Sequence, residues 1–583
     1  MDKLNHISVD ILKDLPHILE QWWKYSLEIG KEMGSEIVKK VSVYSKPFSE
    51  FAAGYVETLR DGIHVSPVWW VVPVTFIFVI TLPLYITHQK TQKRLRSLTA
   101  NIPGPMTFPL LGNVPTFAGS NLKQFFQKLV KVVGKYGPVV RFWMGNKLYI
   151  VISDPESIEN IFANKNLVKK NSTVSKLANG NGVVPDDGKW KIHRRIISST
   201  FNSNVLEQFM ENFSKNSFLL TEDLKSFANG TTFDIYSQIC SCALDIICES
   251  TMGTHVCTQM EDNGEYKSRL LNAFETLGDT FNKPWMFNDW IHSRKQQLDQ
   301  EREAAMNCLH EFVNKVIAEK KEAHRNGIRY HGSKQQVEYV QWVRGKEVTL
   351  LDLLIQDDQV TMEEIRDELS SLILAGTKVT AITCCFVLSL LGVHRDVQDK
   401  VLDEQERIFE PDISRPPTTS DVNNMKYLEQ VLKETLRLYP PVPFLFRNIE
   451  EDTVLDNGYI LPQGSYAVIF NFMTHRNPDY YPHPERFDPD RFSSDWITER
   501  NPYSYIPFGG GRRICVAYKF GMLEVKTILS TVLRKYQVTQ TFGGVDALEK
   551  SLQAGVVLKP EDGFKIQMTP RPTKLIPSIF REE

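Results

Sequence analysis

The chain has 583 residues, of which 42% are hydrophobic and 24% charged, and its 68 Lys and Arg balance 70 Asp and Glu. The resulting net charge of −2 gives no overall attraction to nucleic acid. The 30 Pro and 32 Gly exclude fibrous and low-complexity classes, and the eight Cys, without paired CxxC spacing, exclude a disulfide scaffold. The composition indicates a mostly reduced, intracellular protein with a large core.

Residues 1–63 form an amino-terminal extension. The apolar residues of its first part fall on one face of a helix, namely Ile11, Leu15, Ile18, Leu19 and Trp22. We therefore predict a helical extension, and nothing in its sequence indicates a role.

Residues 64–88 are predicted to be a transmembrane anchor. Val65–Thr87 is a stretch of 23 residues without a charge, long enough as a helix to cross a hydrocarbon core of about 30 Å. Basic residues follow it at Lys90, Lys93 and Arg94, which places the rest of the chain on the cytosolic side. A buried core helix is the alternative, whereas a cleaved signal peptide would begin earlier.

Residues 89–112 combine this basic stop with a proline-rich linker around Ile102-Pro103-Gly104-Pro105, where proline stiffens the chain. From 113 to 575 we find no second linker and no repeat. Long helical patterns alternate with short strand-like runs, which predicts one mostly α domain with small β-sheets (α+β). The helices are predicted at 204–227, 294–322, 362–393 and 425–438, and the strands at 139–143, 148–152 and 467–470.

The segment from Phe508 to Cys515 carries the clearest chemical signal. Three consecutive glycines permit a loop whose N–H groups point inward, and we expect Cys515 at the start of the next helix. A cysteine in that position is shifted toward the thiolate, and Arg513 can neutralise an anionic ligand. A buried structural cysteine is the alternative, while a phosphate-binding loop would need the missing GxxxxGK[ST] pattern.

Four motifs in order resemble those of the cytochrome P-450 family. The matches are F-x-x-G-x-R-x-C at Phe508, Gly511, Arg513 and Cys515, E-x-x-R at Glu434 and Arg437, P-E-R-F at Pro484–Phe487, and W-x-x-x-R at Trp190 and Arg194. E-x-x-R alone is uninformative, but the four together are specific. The chain is similar to the animal microsomal clan, insect members included, whose best-known enzymes hydroxylate fatty acids.

The resemblance implies the cytochrome P-450 fold with one N-terminal transmembrane helix, and haem b (iron protoporphyrin IX) as the cofactor. Cys515 would be the axial thiolate that binds the metal, with Phe508 beside its sulfur. The haem propionates would be held by Trp190, Arg194, Arg513 and Arg447. A structural ion-paired cluster would consist of Glu434, Arg437 and Arg486.

The predicted distal helix departs from the family pattern [A/G]-G-x-[D/E]-T-[T/S]. It reads Ala375-Gly376-Thr377-Lys378-Val379-Thr380, so Lys378 replaces the acid and Val379 the alcohol that deliver protons in the family. Thr380 or Thr377 would have to act through water, and Gly376 would allow a local opening of the helix. Thr380, Thr377 and Gly376 are therefore the catalytic candidates.

The resemblance implies a monooxygenase that inserts one atom of dioxygen into a lipophilic small molecule. Electrons would come from an NADPH-dependent cytochrome P-450 reductase, with a contribution from cytochrome b5 left open. The enzyme would lie in the endoplasmic reticulum membrane with a cytosolic catalytic domain. The altered distal pair leaves open a haem-thiolate isomerase or dehydratase acting on a peroxide, and a haem-binding protein with little turnover.

Overall fold

The structure is a computed structural model that describes residues 86–108, 111–165, 167, 189–256, 272–273, 276, 292–325, 349–493 and 500–572. The chain divides into two units, Met1–Ser97 and Leu98–Glu583. Residues 86–98 are helical. The predicted extension and nearly all of the predicted transmembrane anchor lie outside the described residues and remain predictions.

The second unit is mostly helical. In the described part of the chain, its helices are α1 (Val114–Phe117), α2 (Leu122–Tyr136), α3 (Pro155–Ala163), α4 (Trp190–Thr200), α5 (Ser203–Leu206), α6 (Met210–Asp223), α7 (Tyr236–Met252), α8 (His292–Arg325), α9 (Leu350–Gln356), α10 (Met362–Val393), α11 (Arg395–Phe409), α12 (Thr419–Asn424), α13 (Lys426–Leu438), α14 (Asn471–Thr474), α15 (Tyr518–Lys535) and α16 (Gly544–Ser551). The predicted helices are confirmed, except that the pattern over 204–227 is divided by 3₁₀ turns at Glu207–Phe209 and Leu224–Ser226.

The strands form small sheets. They are β1 (Val139–Met144), β2 (Lys147–Ile152), β3 (Phe233–Asp234), β4 (Phe444–Asn448), β5 (Thr453–Val454), β6 (Ile460–Leu461), β7 (Tyr466–Phe470), β8 (Tyr536–Thr541), β9 (Leu552–Ala554), β10 (Leu558–Pro560) and β11 (Lys565–Pro570). The largest sheet has the order β1-β2-β7-β4, in which only the β2–β7 pair is parallel. The predicted mostly α fold with small sheets is confirmed.

Helix α10 runs through the core of the second unit. A capping box begins it, because the Thr361 side chain accepts from the Glu364 N–H and the Glu364 carboxylate accepts from the Thr361 N–H. Of the described helices, α10 alone is long and apolar enough to cross a membrane, but two-thirds of its apolar window is buried by the protein. We therefore describe it as a core helix.

Candidate active site

The glycine loop is held tightly against the end of α3. Gly509 and Gly511 have φ values of +75° and +63°, a region that favours glycine. A Cβ at Gly510 would lie 2.5 Å from the Phe162 ring, and one at Gly511 would lie 2.6 Å from the Phe162 carbonyl oxygen. A side chain at any of these three glycines would therefore be disfavoured, by the positive φ, by a steric clash or by both.

Cys515 lies on the loop and is exposed. Its N–H donates to the Phe508 carbonyl at 2.9 Å, which closes the loop on itself. Helix α15 begins at Tyr518, so Cys515 precedes the helix and does not occupy its first position, contrary to our expectation. A 3₁₀ turn at Gly511–Arg513 lies just before Cys515 in the chain.

The side chains of α4 meet this loop. The Arg513 guanidinium lies 3.9 Å from the centroid of the Trp190 ring, a cation–π contact between segments far apart in sequence. Partial burial lowers the pKa of the Arg194 guanidinium, and the charge of the Cys515 thiolate acts in the opposite direction. Trp190, Arg194, Arg513 and Cys515 therefore belong to one region, and their roles toward a haem stay predictions.

Arg447 reaches the same region from β4. Its side chain is buried, its Nη1 donates to the Phe446 carbonyl, and its guanidinium lies 5.5 Å from the centroid of the Phe162 ring. Phe162 thus contacts both Arg447 and the glycine loop. The half-buried Phe508 ring lies 6.2 Å from Tyr518, beside the loop it begins.

The central part of helix α10 is buried except for a short stretch. From Leu369 to Leu391 only Ser371 and residues 374–376, 378 and 379 are not buried, and Ala375 is exposed. Leu374 and Lys378 are four residues apart, as are Ala375 and Val379, so these residues form one less buried, open stretch of the helix surface. The substituted positions Lys378 and Val379 are on this open stretch.

The predicted catalytic residues have different surroundings. A Cβ at Gly376 would lie 2.9 Å from the Ile247 side chain, so this glycine permits close packing of α10 against α7. Helix α10 continues without a break through Gly376, so the expected local opening is absent. Thr377 is fully buried, and no described group hydrogen bonds to its hydroxyl.

The Thr380 hydroxyl forms a hydrogen bond that the sequence did not predict. Its hydroxyl donates to Oε2 of Glu524 on α15 at 3.0 Å. Burial raises the pKa of the Glu524 carboxyl to about 8, so it is mostly protonated at neutral pH. The Thr380 hydroxyl is thereby engaged in a helix–helix contact in the core.

The ion-paired cluster differs from the prediction in one member. Arg437 and Glu434 are fully buried and paired, with Nε–Oε2 at 2.7 Å and Nη2–Oε1 at 2.9 Å. The Arg486 side chain is exposed, and only its carbonyl accepts from Arg437. Arg491 supplies the third charge instead, with its Nε 3.6 Å from Glu434 Oε1.

The assignment of Arg486 is therefore wrong, and the sequence contained a signal for the right residue. Pro489-Asp490-Arg491-Phe492 repeats the P-x-R-F spacing five residues later. The backbone decides between the two, because the Asp488 N–H donates to Glu434 and holds the second motif against α13. Phe162 and Glu524 were also missed, and we find no local sequence signal for either.

Comparison with known proteins agrees with this arrangement. The Cytochrome P450 family model matches residues 102–568. The chain is 30% identical over 561 residues to Cytochrome P450 4g15 of Drosophila melanogaster, covering 85% of this chain and 96% of that protein. It is 31% identical to Cytochrome P450 4c21 of Blattella germanica, with 86% and 97% covered. Cytochrome P450 4V2 of Homo sapiens is 32% identical, with 80% and 88% covered.

These relatives all carry the number 4 after the family name, and they come from insects and mammals. The clan predicted from the sequence is likewise an animal clan that includes insect members. Family members are monooxygenases that bind haem b through a cysteine thiolate, so haem b is the cofactor expected of this fold. The loop, its cysteine and the family match point to the same conclusion. The chain belongs to the cytochrome P450 family of haem-thiolate monooxygenases.

Proposed function

We propose that this chain is a membrane-anchored monooxygenase that inserts one atom of dioxygen into a lipophilic small molecule. The observation that carries the proposal is the junction of the Cys515 loop with α4, where Arg513 stacks on Trp190. A haem fits this junction because it needs a thiolate ligand and cationic side chains for its propionates. The described residues supply both.

Each residue of the junction has a distinct task in this proposal. Cys515 would bind the iron as a thiolate, and Phe508 would restrict the access of water to the sulfur. Arg194, Arg447 and Arg513 would bind the propionates by charge-assisted hydrogen bonds, with the Trp190 indole N–H as a further donor. When bound, the haem supplies the iron at which dioxygen is activated.

The distal helix would act differently from the family pattern. Thr380 would stabilise the α10–α15 contact, because its hydroxyl already donates to Glu524. Thr377 is buried, so its hydroxyl would reach the reacting centre only through rearrangement. We propose that protons arrive through water or from the substrate, past the side chains of Lys378 and Val379.

Electrons would come from an NADPH-dependent reductase, with a contribution from cytochrome b5 left open. Arg195, Arg512 and Lys519 are exposed on α4, the loop and α15, and would form a basic docking surface. The anchor proposed for residues 64–88 would hold the enzyme in the endoplasmic reticulum membrane with this surface in the cytosol.

The first test is the reduced, carbon monoxide-bound difference spectrum of the full chain beside Cys515→Ala. We expect a strongly red-shifted Soret band in the wild type and its loss in the variant, because the shift requires a thiolate ligand. Cys308→Ala, which changes a partly buried cysteine on α8, is the matched control and should keep the band. A folded wild-type protein without the band would contradict the proposal.

The second test concerns proton delivery. Lys378→Asp with Val379→Thr places an acid and an alcohol on the open stretch, and should raise the amount of product formed per NADPH consumed while peroxide release falls. Lys378→Met with Val379→Thr removes the charge without adding an acid and should not reproduce the gain. An equal amount of product per NADPH in the wild type and in the Asp/Thr variant would contradict the proposal that the missing acid and alcohol limit proton delivery.

A further inference from the structure

Helix α4 has a second buried contact beside the residues assigned to the propionates. His193 lies on this helix between Trp190 and Arg194, and its Nδ1 is 2.6 Å from Oε1 of Glu368 on α10. The two side chains are 3% and 0% exposed. A buried hydrogen bond therefore joins the distal helix to the helix that meets the cysteine loop.

The bond is the only described contact of the Glu368 carboxyl group with a hydrogen-bonding side chain. Burial raises the pKa of this carboxyl, and the hydrogen bond with His193 acts in the opposite direction. Its second oxygen, Oε2, is buried and has no hydrogen-bond partner in the described part of the chain. The direction of the carboxyl group therefore depends on His193.

Stability alone explains such a pair poorly. Buried polar pairs often contribute little net stability compared with apolar side chains of the same size, because both groups must leave water. What a buried hydrogen bond adds is a fixed direction and distance. The pair is therefore better explained by the position it imposes on α4.

The position of α4 matters because its residues act together. Trp190 and Arg194 are four residues apart and lie on the same helical face, while His193 projects from an adjacent face. A rotation of α4 by about 20° would move side-chain ends by about 2 Å at the helix surface. Such a shift would disturb the Arg513–Trp190 stack and the direction of the Arg194 guanidinium together.

We propose that His193 and Glu368 are positioning residues that fix α4 against α10 so that Trp190 and Arg194 retain the haem. The proposal rests on the assignment of Trp190 and Arg194 to the haem propionates. His193 and Glu368 bind neither the haem nor the substrate directly. Their effect reaches the cofactor through the orientation of the helix.

The test compares haem loss from full-length holoprotein variants. His193→Leu with Glu368→Met replaces both groups by apolar side chains, so the fold should be kept without an unpaired buried charge. Haem transfer to excess apomyoglobin should become about tenfold faster, as is usual when support for a cofactor ligand is removed. His193→Asn, whose amide can replace Nδ1 in the bond, should restore slow transfer.

A nearby pair provides the matched control. Lys189, which immediately precedes α4, pairs with Glu364 on α10 at 2.5 Å, and the Lys189 side chain is 48% exposed. Because an ion pair with an exposed partner contributes little, Lys189→Met with Glu364→Gln should leave the transfer rate unchanged. Equal acceleration in this control would show a general loosening of the helix and would overturn the proposal.

The remaining outcomes are also decisive. If the variant with His193→Leu and Glu368→Met folds and loses haem at the wild-type rate, the proposal is overturned. If this variant does not fold, the proposal is also overturned, because the pair would then serve the fold itself. Trp190→Ala tests the underlying assignment separately. If Trp190→Ala retains haem normally, the propionate assignment fails; if it loses haem while the Leu/Met variant does not, only the positioning role fails.

Discussion

The guanidinium of Arg437 organises the residues around it. It is fully buried and forms a bidentate pair with Glu434, while Nη1 also donates to the carbonyls of His475 and Pro484 at 2.9 and 2.7 Å. A planar guanidinium can make these bonds at once, which the point charge of a lysine cannot. One side chain on α13 thereby fixes the path of the segment before the cysteine loop.

The first prediction separates the two arginines that follow this segment. Arg491→Met removes a largely buried charge beside Glu434 and should lower the free energy of unfolding by about 1–3 kcal/mol. Arg486→Met changes an exposed side chain and should alter it by less than about 0.5 kcal/mol. Thermal unfolding of both variants beside the wild type measures the two changes in stability. A larger loss for Arg486→Met than for Arg491→Met would contradict the assignment of Arg491 to the cluster.

At the scale of elements, the cysteine loop depends on α3 as much as on its own glycines. The Phe162 carbonyl and ring occupy the space that a side chain at Gly510 or Gly511 would need. The same phenylalanine lies beside Arg447 on β4. A helix without any catalytic residue therefore sets the distance between the cysteine loop and a cation assigned to the haem.

The second prediction tests this packing. Gly511→Ala places a Cβ 2.6 Å from a backbone oxygen at a φ of +63°, and should cost about 1–2 kcal/mol from the backbone conformation alone. The loop would have to move, so the fraction of protein with the thiolate spectrum should fall. Gly521→Ala on α15 meets no atom within 4 Å and should keep the spectrum, with a gain of up to about 1 kcal/mol. A normal spectrum for Gly511→Ala would contradict the packing argument.

At the scale of the whole molecule, the buried carboxyl of Glu524 links global stability to pH. Its pKa is about 8 in the folded protein because of burial, against an ordinary value of 4.5. Between these values the folded state keeps a proton that the unfolded state has released. Its contribution to stability is therefore full below pH 4.5 and is lost as the pH rises to about 8.

The third prediction follows from this loss of stability with rising pH. Glu524→Gln keeps an acceptor for the Thr380 hydroxyl and cannot titrate, so the variant should gain stability relative to wild type as the pH rises from 5 to 8. The difference should grow by up to about 1.4 kcal/mol per pH unit. Calorimetric unfolding of both proteins at several pH values measures it, and a difference independent of pH would show that Glu524 is ionised in the folded state.

Local patterns in the sequence determined the class of fold and the position of most elements. Helix α10 was predicted with the bounds it has, because the spacing of its apolar residues is a local signal. Trp190, Arg194, Arg513 and Cys515 were recognised from short motifs. The tertiary structure then placed them in one region, through contacts such as that of Arg513 with Trp190.

Only the tertiary structure decided between residues of the same type. Arg491 pairs with Glu434 and Arg486 does not, although both lie in P-x-R-F motifs, because burial depends on the path of the backbone. Thr380 was predicted to serve catalysis, and its hydroxyl donates to Glu524, a partner 144 residues away. A sequence motif specifies which chemical groups are available, whereas their partners are set by the long-range packing of helices, which no local pattern encodes.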